Sequence, residues 1–420
     1  MRVLYYGESP FHATGFAQVN KHILDGLSEV ADVTLVATSH YSDDDFSYLP
    51  YKLIGCEDTE DMRNIGRIIP EIKHGEWDIF FYQGDIGANN DVLDAVIEET
   101  NKDKSKSSIF YMPVDCDVAM AQSFNHFASS TVPVVYTNHA KRVIEFYQPE
   151  LSKYISVIQL GCEPDVFYPI DKQEARNRIF GESWQDAFIA VNVNRNQGRK
   201  DLARCMGAFH LFNQRHDNAV LYMHSVQNDI GGSLPTQALL AGCNVMKSPP
   251  EVAFSNLDLT KAWSREQLND LYNACDVLVS TSHGEGWGLA TTEAMAAGIP
   301  VLVPENTANL DILGEVRHPL TSWDGWSGFD RERGWAIKTG GDIDHQVFTY
   351  QHGGSPHDII HAESFVEGLE YIYTHKEEVA EKCRTARSWC LKNTWRHKKD
   401  AWKALVKTIE ANQEVVLLGR

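Results

Sequence analysis

Basic residues are scarce in this chain: 38 lysines and arginines stand against 58 aspartates and glutamates, a formal charge of −20 over 420 residues. That balance repels phosphate backbones at long range and argues against a nonspecific nucleic-acid binder. Cysteine is sparse as well. The eight, at positions 56, 116, 162, 205, 243, 275, 383 and 390, form no C-x-x-C pair, so neither a disulfide framework nor a zinc ribbon is expected. No stretch approaches the roughly eighteen unbroken apolar residues of a membrane span. The opening MRVLYYGESP lacks the apolar core and small-residue cleavage site of a secretory signal. A cytoplasmic protein with no transmembrane segment is the expectation. Internal repeats and low-complexity tracts are also missing.

What is present is ordinary for a soluble globular chain, 43% hydrophobic and 23% charged, with length enough for two domains. In the first half the runs RVLYY, DVTLVAT, DIFFYQ, SIFYMPV, VPVVYTN and ISVIQL read as buried strands. Between the first two, FAQVNKHILDGL sets Phe16, Val19, Ile23, Leu24 and Leu27 on one helical face. Near-continuous apolar strands separated by helices predict a parallel sheet covered on both faces. LGCEPDVFYPIDKQEARNRIFGESWQ, charged and without apolar period, reads as a linker. The alternation then restarts with FIAVNVN, DLARCMGAFHLFN, AVLYMHS, CDVLVSTS, TTEAMAAG and IPVLVPE. The expected fold class is therefore α/β, two Rossmann-like doubly wound domains, 1–168 and 169–392, facing an interdomain cleft. The aromatic segment HPLTSWDGWSGFDRERG reads as a long loop, and two helical stretches, about 361–391 and 395–412, close the chain. The basic run KNTWRHKKDAWKALVK reads as a solvated helix face.

One segment carries the chemistry. In STSHGEGWGLATTEAMAAG a loop follows a strand and a helix follows the loop. Gly284, Gly286 and Gly288 allow close approach of a ligand to the backbone, and the helix opening near Ala290 offers amide donors suited to phosphate oxygens. Glu285, an acceptor only, suits the vicinal hydroxyls of a sugar. Glu293 either grips a ribose in the same way or is a surface acid favoured by the helix dipole. Upstream, VNVNRNQGRKDL places Arg195 and Lys200 five apart in a strand-to-helix loop; by spacing alone these are ordinarily a solvated pair, though two fixed cations there can neutralise a departing diphosphate. Arg199, between them, is the alternative for either. His357 and His361 in HDIIH are four apart, but Asp358 stands where a zinc protease needs glutamate, so no metal site is expected. His12, His139 and His283 are candidates for lining the cleft.

These residues resemble the E-x7-E signature of retaining glycosyltransferases with the GT-B fold, the group 1 superfamily of glycogen and sucrose synthases. Glu285 and Glu293 have its spacing, and AMAAGIPVLV and REQLNDLYNACDVLVSTS resemble its donor domain. GCEPDVF resembles the family's hinge motif, with Glu163 replacing aspartate. GESPFHATGFAQV resembles its amino-terminal glycine loop, with Gly15 alone where two glycines are usual. The resemblance implies a first domain serving the acceptor, a second binding the donor, and a final helix, 393–420, packing back on the first. It assigns catalytic roles to Arg195, Lys200 and Glu285, with Asp115 as a sugar or acceptor contact. Donor binding falls on Gly15, Gly284, Gly286, Trp287, Gly288, Leu289 and Glu293.

The implied reaction is retaining transfer of a hexose or pentose from a nucleotide-diphosphate sugar, UDP-sugar favoured over GDP-sugar, without metal or other cofactor. The acceptor is a glycan, lipid or protein hydroxyl, or a modified nucleobase, which the charge disfavours. Rival readings are a sugar-nucleotide epimerase-like enzyme on the same fold and a catalytically silent binding subunit.

Overall fold

The computed structural model describes residues 1–41, 45–116, 121–257, 263–314, 328–348 and 356–418. Its first sheet holds β1 (Arg2–Glu8), β2 (Asp32–Thr38), β3 (Lys52–Ile54), β4 (Ile79–Gln83), β5 (Ser107–Met112), β6 (Val132–Val135) and β7 (Ser156–Val157). They lie in the order β3-β2-β1-β4-β5-β6-β7, all parallel. The apolar runs have a simple cause: every residue of β4 and β5 is buried, because helices cover both faces. Buried tyrosines keep their hydroxyls paired. Tyr5 donates to Asn20 Oδ1 at 2.6 Å and Tyr111 to the Ile158 carbonyl at 2.5 Å.

A second sheet is built from β8 (Phe188–Val193), β9 (Ala219–His224), β12 (Val252–Phe254), β13 (Val277–Val279), β14 (Val301–Pro304), β15 (Asp330–Arg331) and β16 (Gly334–Ile337), with two-stranded hairpins β10 (Asn228–Asp229)–β11 (Gly232–Ser233) and β17 (Gln346–Phe348)–β18 (Pro356–Asp358) beside it. Its order is β12-β9-β8-β13-β14-β16-β15, parallel except for the last pair. Among the parallel strands of each sheet the order reverses once, at β1/β4 and at β8/β13. Ligands of such sheets bind beyond the carboxyl ends of the strands at that reversal.

The expected linker contains a helix, Lys172–Phe180. Asp171 caps it by accepting from the Glu174 amide, and only Ala175 and Arg176 are buried, so it shows no apolar period. Arg176 replaces apolar packing with hydrogen bonds to the carbonyls of Ala274 and Ala187 and an ion pair to Asp276 at 2.8 Å. The predicted stretch 361–391 is two helices, Ala362–Thr374 and Lys376–Lys392, divided at His375. Of the aromatic segment, residues 318–327 lie outside the described residues, and the remainder enters β15 and β16.

The chain crosses between the two sheets twice, side by side. Cys162 donates its amide to the Asn393 carbonyl at 2.7 Å, and Trp395 donates back to Cys162 at 3.3 Å. A Cβ at Gly161 would collide with the Trp395 backbone, which explains the glycine. The helix Trp395–Leu418 then lies on the first domain. Trp402 packs edge-on against Phe81 and Tyr111, with ring centroids at 5.1 and 4.7 Å. Its basic face is paired rather than simply solvated: Lys399 reaches Asp25 at 3.3 Å and Lys403 reaches Glu29 at 2.9 Å.

Candidate active site

The loop after β8 and the loop after β13 meet at the strand-order reversal of the second sheet. Backbone and hydroxyl bonds join them: His283 donates its amide to the Arg199 carbonyl at 2.8 Å, and Thr281 Oγ1 donates to the Lys200 carbonyl at 3.1 Å. His283 Nε2 lies 3.1 Å from Asp201, whose backbone is left-handed at φ +47°. The helix Leu289–Ala297 begins at Gly288, φ +98°, and ends at Gly298, φ +83°, both of which need a residue without Cβ.

Lys200, which is buried, and Glu285, whose side chain is 12% exposed, form a direct ion pair. Glu285 also accepts from Ser282 Oγ at 2.7 Å and lies 3.5 Å from Arg199. Arg199 donates to the Gly284 carbonyl at 2.7 Å and stands 3.9 Å from Asp115 of the first domain. Burial pushes the Glu285 carboxyl up, but the charges of Lys200 and Arg199 outweigh it and hold the group below the usual carboxylate range. Burial draws the Lys200 ammonium down, with Glu285 opposing.

Arg195 is not part of this group. Its side chain is 59% exposed and its Nε donates to Asp229, on the β10–β11 hairpin, at 2.9 Å. The cation beside Lys200 is Arg199. The reason is local: Gly198–Lys200 is a single 3-10 turn, which brings both of its cations to the glutamate loop.

Glu293 lies in the second turn of its helix rather than the first, and its side chain is only 15% exposed, so it is not an open surface acid. It accepts from the Tyr272 hydroxyl at 2.7 Å and lies 3.9 Å from Arg265. Burial raises its carboxyl above the usual range, more than Arg265 and Tyr272 lower it. Arg265 also pairs with Glu163 of GCEPDVF, donates to Gln18 at 3.1 Å and stacks 4.9 Å over Phe167. Arg265, Tyr272 and Ser282 were missed from sequence, since no spacing relates them to the two glutamates.

The glycines do more than admit a ligand. A Cβ at Gly284 would collide with the Asp115 carbonyl, and one at Gly286 with Pro113, so the loop is glycine-rich where it meets the first domain. Gly15 faces Leu289, whose Cδ1 is 3.4 Å from where a Cβ would sit. Trp287, 3% exposed, belongs to the hydrophobic core rather than to an open surface. His139 is buried at a second contact between the domains: its amide donates to Asp311 at 3.1 Å, and burial lowers its imidazole to about 4. His12 pairs with Glu8 at 3.0 Å on the loop before Gly15.

Among the described residues, two clusters have donor atoms close enough for a cation: His210–Cys243–Glu251 and Asp342–His345–His361. In the first, burial and then Glu251 push the Cys243 thiol up to about 11, which opposes metal ligation. In the second, His361 Nε2 is 2.8 Å from the Gly340 carbonyl. His357 is buried, its ring 6.4 Å from that of His283.

Two parallel sheets of this order, clasped by a returning carboxyl-terminal helix, define the GT-B fold. Solved structures agree over the whole chain. Anabaena HepE in complex with UDP-glucose superposes with TM-score 0.66 at 11% identity, covering 97% of this chain and 100% of that one. Sucrose-phosphate synthase from Thermosynechococcus elongatus gives 0.69 at 14%, covering 98% and 100%. Residues 255–317 match the family model for glycosyl transferases group 1. Among curated relatives, the D-inositol 3-phosphate glycosyltransferase of Thermobispora bispora is 27% identical over 164 residues, and that of Streptomyces avermitilis 29% over 177. The matched stretches cover 39% and 40% of this chain and only 37% and 35% of those relatives.

Proposed function

We propose that the protein is a retaining glycosyltransferase that moves a sugar from a nucleotide-diphosphate sugar, UDP-sugar favoured, to a hydroxyl acceptor, without metal. The observation that carries this reading is the junction of Arg199, Lys200 and Glu285 at the reversal point of the second sheet, beside a helix start that no side chain caps. A diphosphate placed there would share both cations with Glu285 and lie at the positive helix end. As the glycosidic bond breaks, negative charge grows on the leaving phosphate, and fixed cations stabilise that charge more than the ground state. Glu285 would hold sugar hydroxyls, and Glu293 the ribose. Glu285 and Asp115 both lie beside cations, which weakens them as nucleophiles. The reading is therefore attack on the face the leaving group vacates, with no covalent intermediate.

A thermal-shift panel of nucleotides and nucleotide sugars tests this. UDP and UDP-sugars should raise the melting temperature, about 2.7 kcal/mol of stabilisation at a hundredfold excess over Kd. No shift with any nucleotide removes the reading. Donor consumed to an epimerised product without acceptor would replace it by an epimerase, and binding without turnover by a silent subunit.

The two arginines are expected to separate cleanly. Arg199→Ala should lower single-turnover rates by about 10² or more, as loss of a preorganised donor does. Arg195→Ala should leave them near wild type, because its exposed pair with Asp229 is worth about 0–1 kcal/mol and only to stability. Equal losses would return Arg195 to the site.

A further inference from the structure

The two domains touch where the first sheet ends in β5 and in the helix after β6: Pro113 and Asp115 meet the glycine loop, and His139 meets Asp311. The β1–β2 side of the same edge carries something else. Phe11, on the loop leading to Gly15, and Phe46, beyond β2, have ring centroids 5.0 Å apart. His40 lies 5.9 and 5.1 Å from them, and Tyr48 is 6.4 Å from Phe46. The base of this group is anchored. His40 is buried, its Nδ1 2.8 Å from Ser9 Oγ, and its carbonyl accepts from the Cys56 amide at 2.8 Å. Its outer rings are open: Phe11 is 48% exposed and Tyr48 71%. Exposed, mutually packed rings beside the loop that carries Gly15 to Leu289 of the second domain mark a binding surface more often than a defect.

Charge narrows the ligand. Among the described residues of 39–62 there are five acids, Asp45, Glu57, Asp58, Glu60 and Asp61, against one base, Lys52. Nearby Arg63 and Arg67 are paired with Asp91 and Glu57. A phosphate-bearing partner would be repelled. A neutral sugar fits instead: its C–H face lies against aromatic faces, and its hydroxyls donate to carboxylates, which only accept.

We propose that Phe11, Phe46 and Tyr48 form the acceptor platform of this enzyme and that it takes an uncharged sugar ring at the end of a glycan. The proposal rests on the glycosyltransferase reading above. The test is an array of neutral glycans, anionic glycans and a single-stranded DNA oligonucleotide, probed with the full chain preloaded with UDP. Neutral glycans should be retained. Titrated against a retained glycan, Tyr48→Ala and Phe11→Ala should each lose about tenfold in affinity or more, while Tyr48→Phe keeps it. The UDP thermal shift should be unchanged in all three variants. A blank array, retention of only anionic glycans or of DNA, or wild-type affinity in both alanine variants overturns the platform while the donor reading stands. Loss of the UDP shift in the wild type overturns the reading beneath it.

Discussion

Lys200→Ala is expected to lower the single-turnover rate by two to three powers of ten, about 2.7–4 kcal/mol of barrier, with a smaller change in donor affinity. The asymmetry follows from timing. A cation beside the bridging oxygen gains most as charge develops there, so its loss falls on the transition state. A structural cost accompanies the catalytic one. Lys200 is the direct partner of Glu285, whose side chain is 12% exposed, and breaking a fully buried pair from one side costs about 3–5 kcal/mol, an upper bound for this part-buried one. Arg199 at 3.5 Å and Ser282 at 2.7 Å keep part of that compensation in place. Melting curves and single-turnover kinetics on the same preparation separate the two effects. Lys200→Arg should recover stability more than rate, since a planar fork does not reproduce a point charge. An alanine variant with normal turnover would remove the cation mechanism, and so would a wild type silenced by chelator.

The same pair gives a pH expectation. The Glu285 carboxyl is held below its unfolded value, so its stabilising contribution is present above the ordinary carboxylate range. It is lost as pH falls through the folded value. Glu285→Gln should flatten the acid limb of the stability curve, and an unchanged limb would mean that the pair adds nothing.

Glu293→Gln is expected to raise the melting temperature at neutral pH and to weaken nucleotide binding together. Burial raises this carboxyl above its unfolded value, so the folded protein binds the proton more tightly than the unfolded chain. Stability from the protonated form is full at acid pH and is lost as pH rises through the folded value. At neutral pH the charge therefore costs stability, and the neutral amide relieves that cost while keeping an oxygen for the Tyr272 hydroxyl. Function runs the other way. A carboxylate accepting ribose hydroxyls is worth about 1.5–3 kcal/mol, so affinity for UDP should fall about 10- to 150-fold. Calorimetry with UDP and a melting curve decide it. A variant stabilised with unchanged UDP affinity would remove Glu293 from the ribose. One destabilised would mean that Arg265 at 3.9 Å outweighs burial.

Much of the architecture was legible in the sequence, because a strand covered on both faces must be apolar throughout. DIFFYQ and SIFYMPV could hardly be anything else, and the loop-then-helix order of HGEGWGLATTEAM marked the loop that stands at the strand-order reversal of the second sheet. The short strands β3, β12 and β16 escaped notice because three or four residues set no period. The helix at Lys172–Phe180 escaped because Arg176 is held by hydrogen bonds rather than by an apolar stripe. Around the site, spacing offered Arg195 and Lys200 as equals. Only the fold of the loop separated them, turning Arg195 out to Asp229 and bringing Arg199 onto Glu285. Tertiary structure also decided that Gly284 and Gly286 serve the approach of the first domain, and that Glu293 sits largely covered beside Arg265 and Tyr272. The physical reason is common to all three. Periodicity is a property of one segment and its cover, whereas a site's charge pairs join segments that neither helical nor strand periodicity relates.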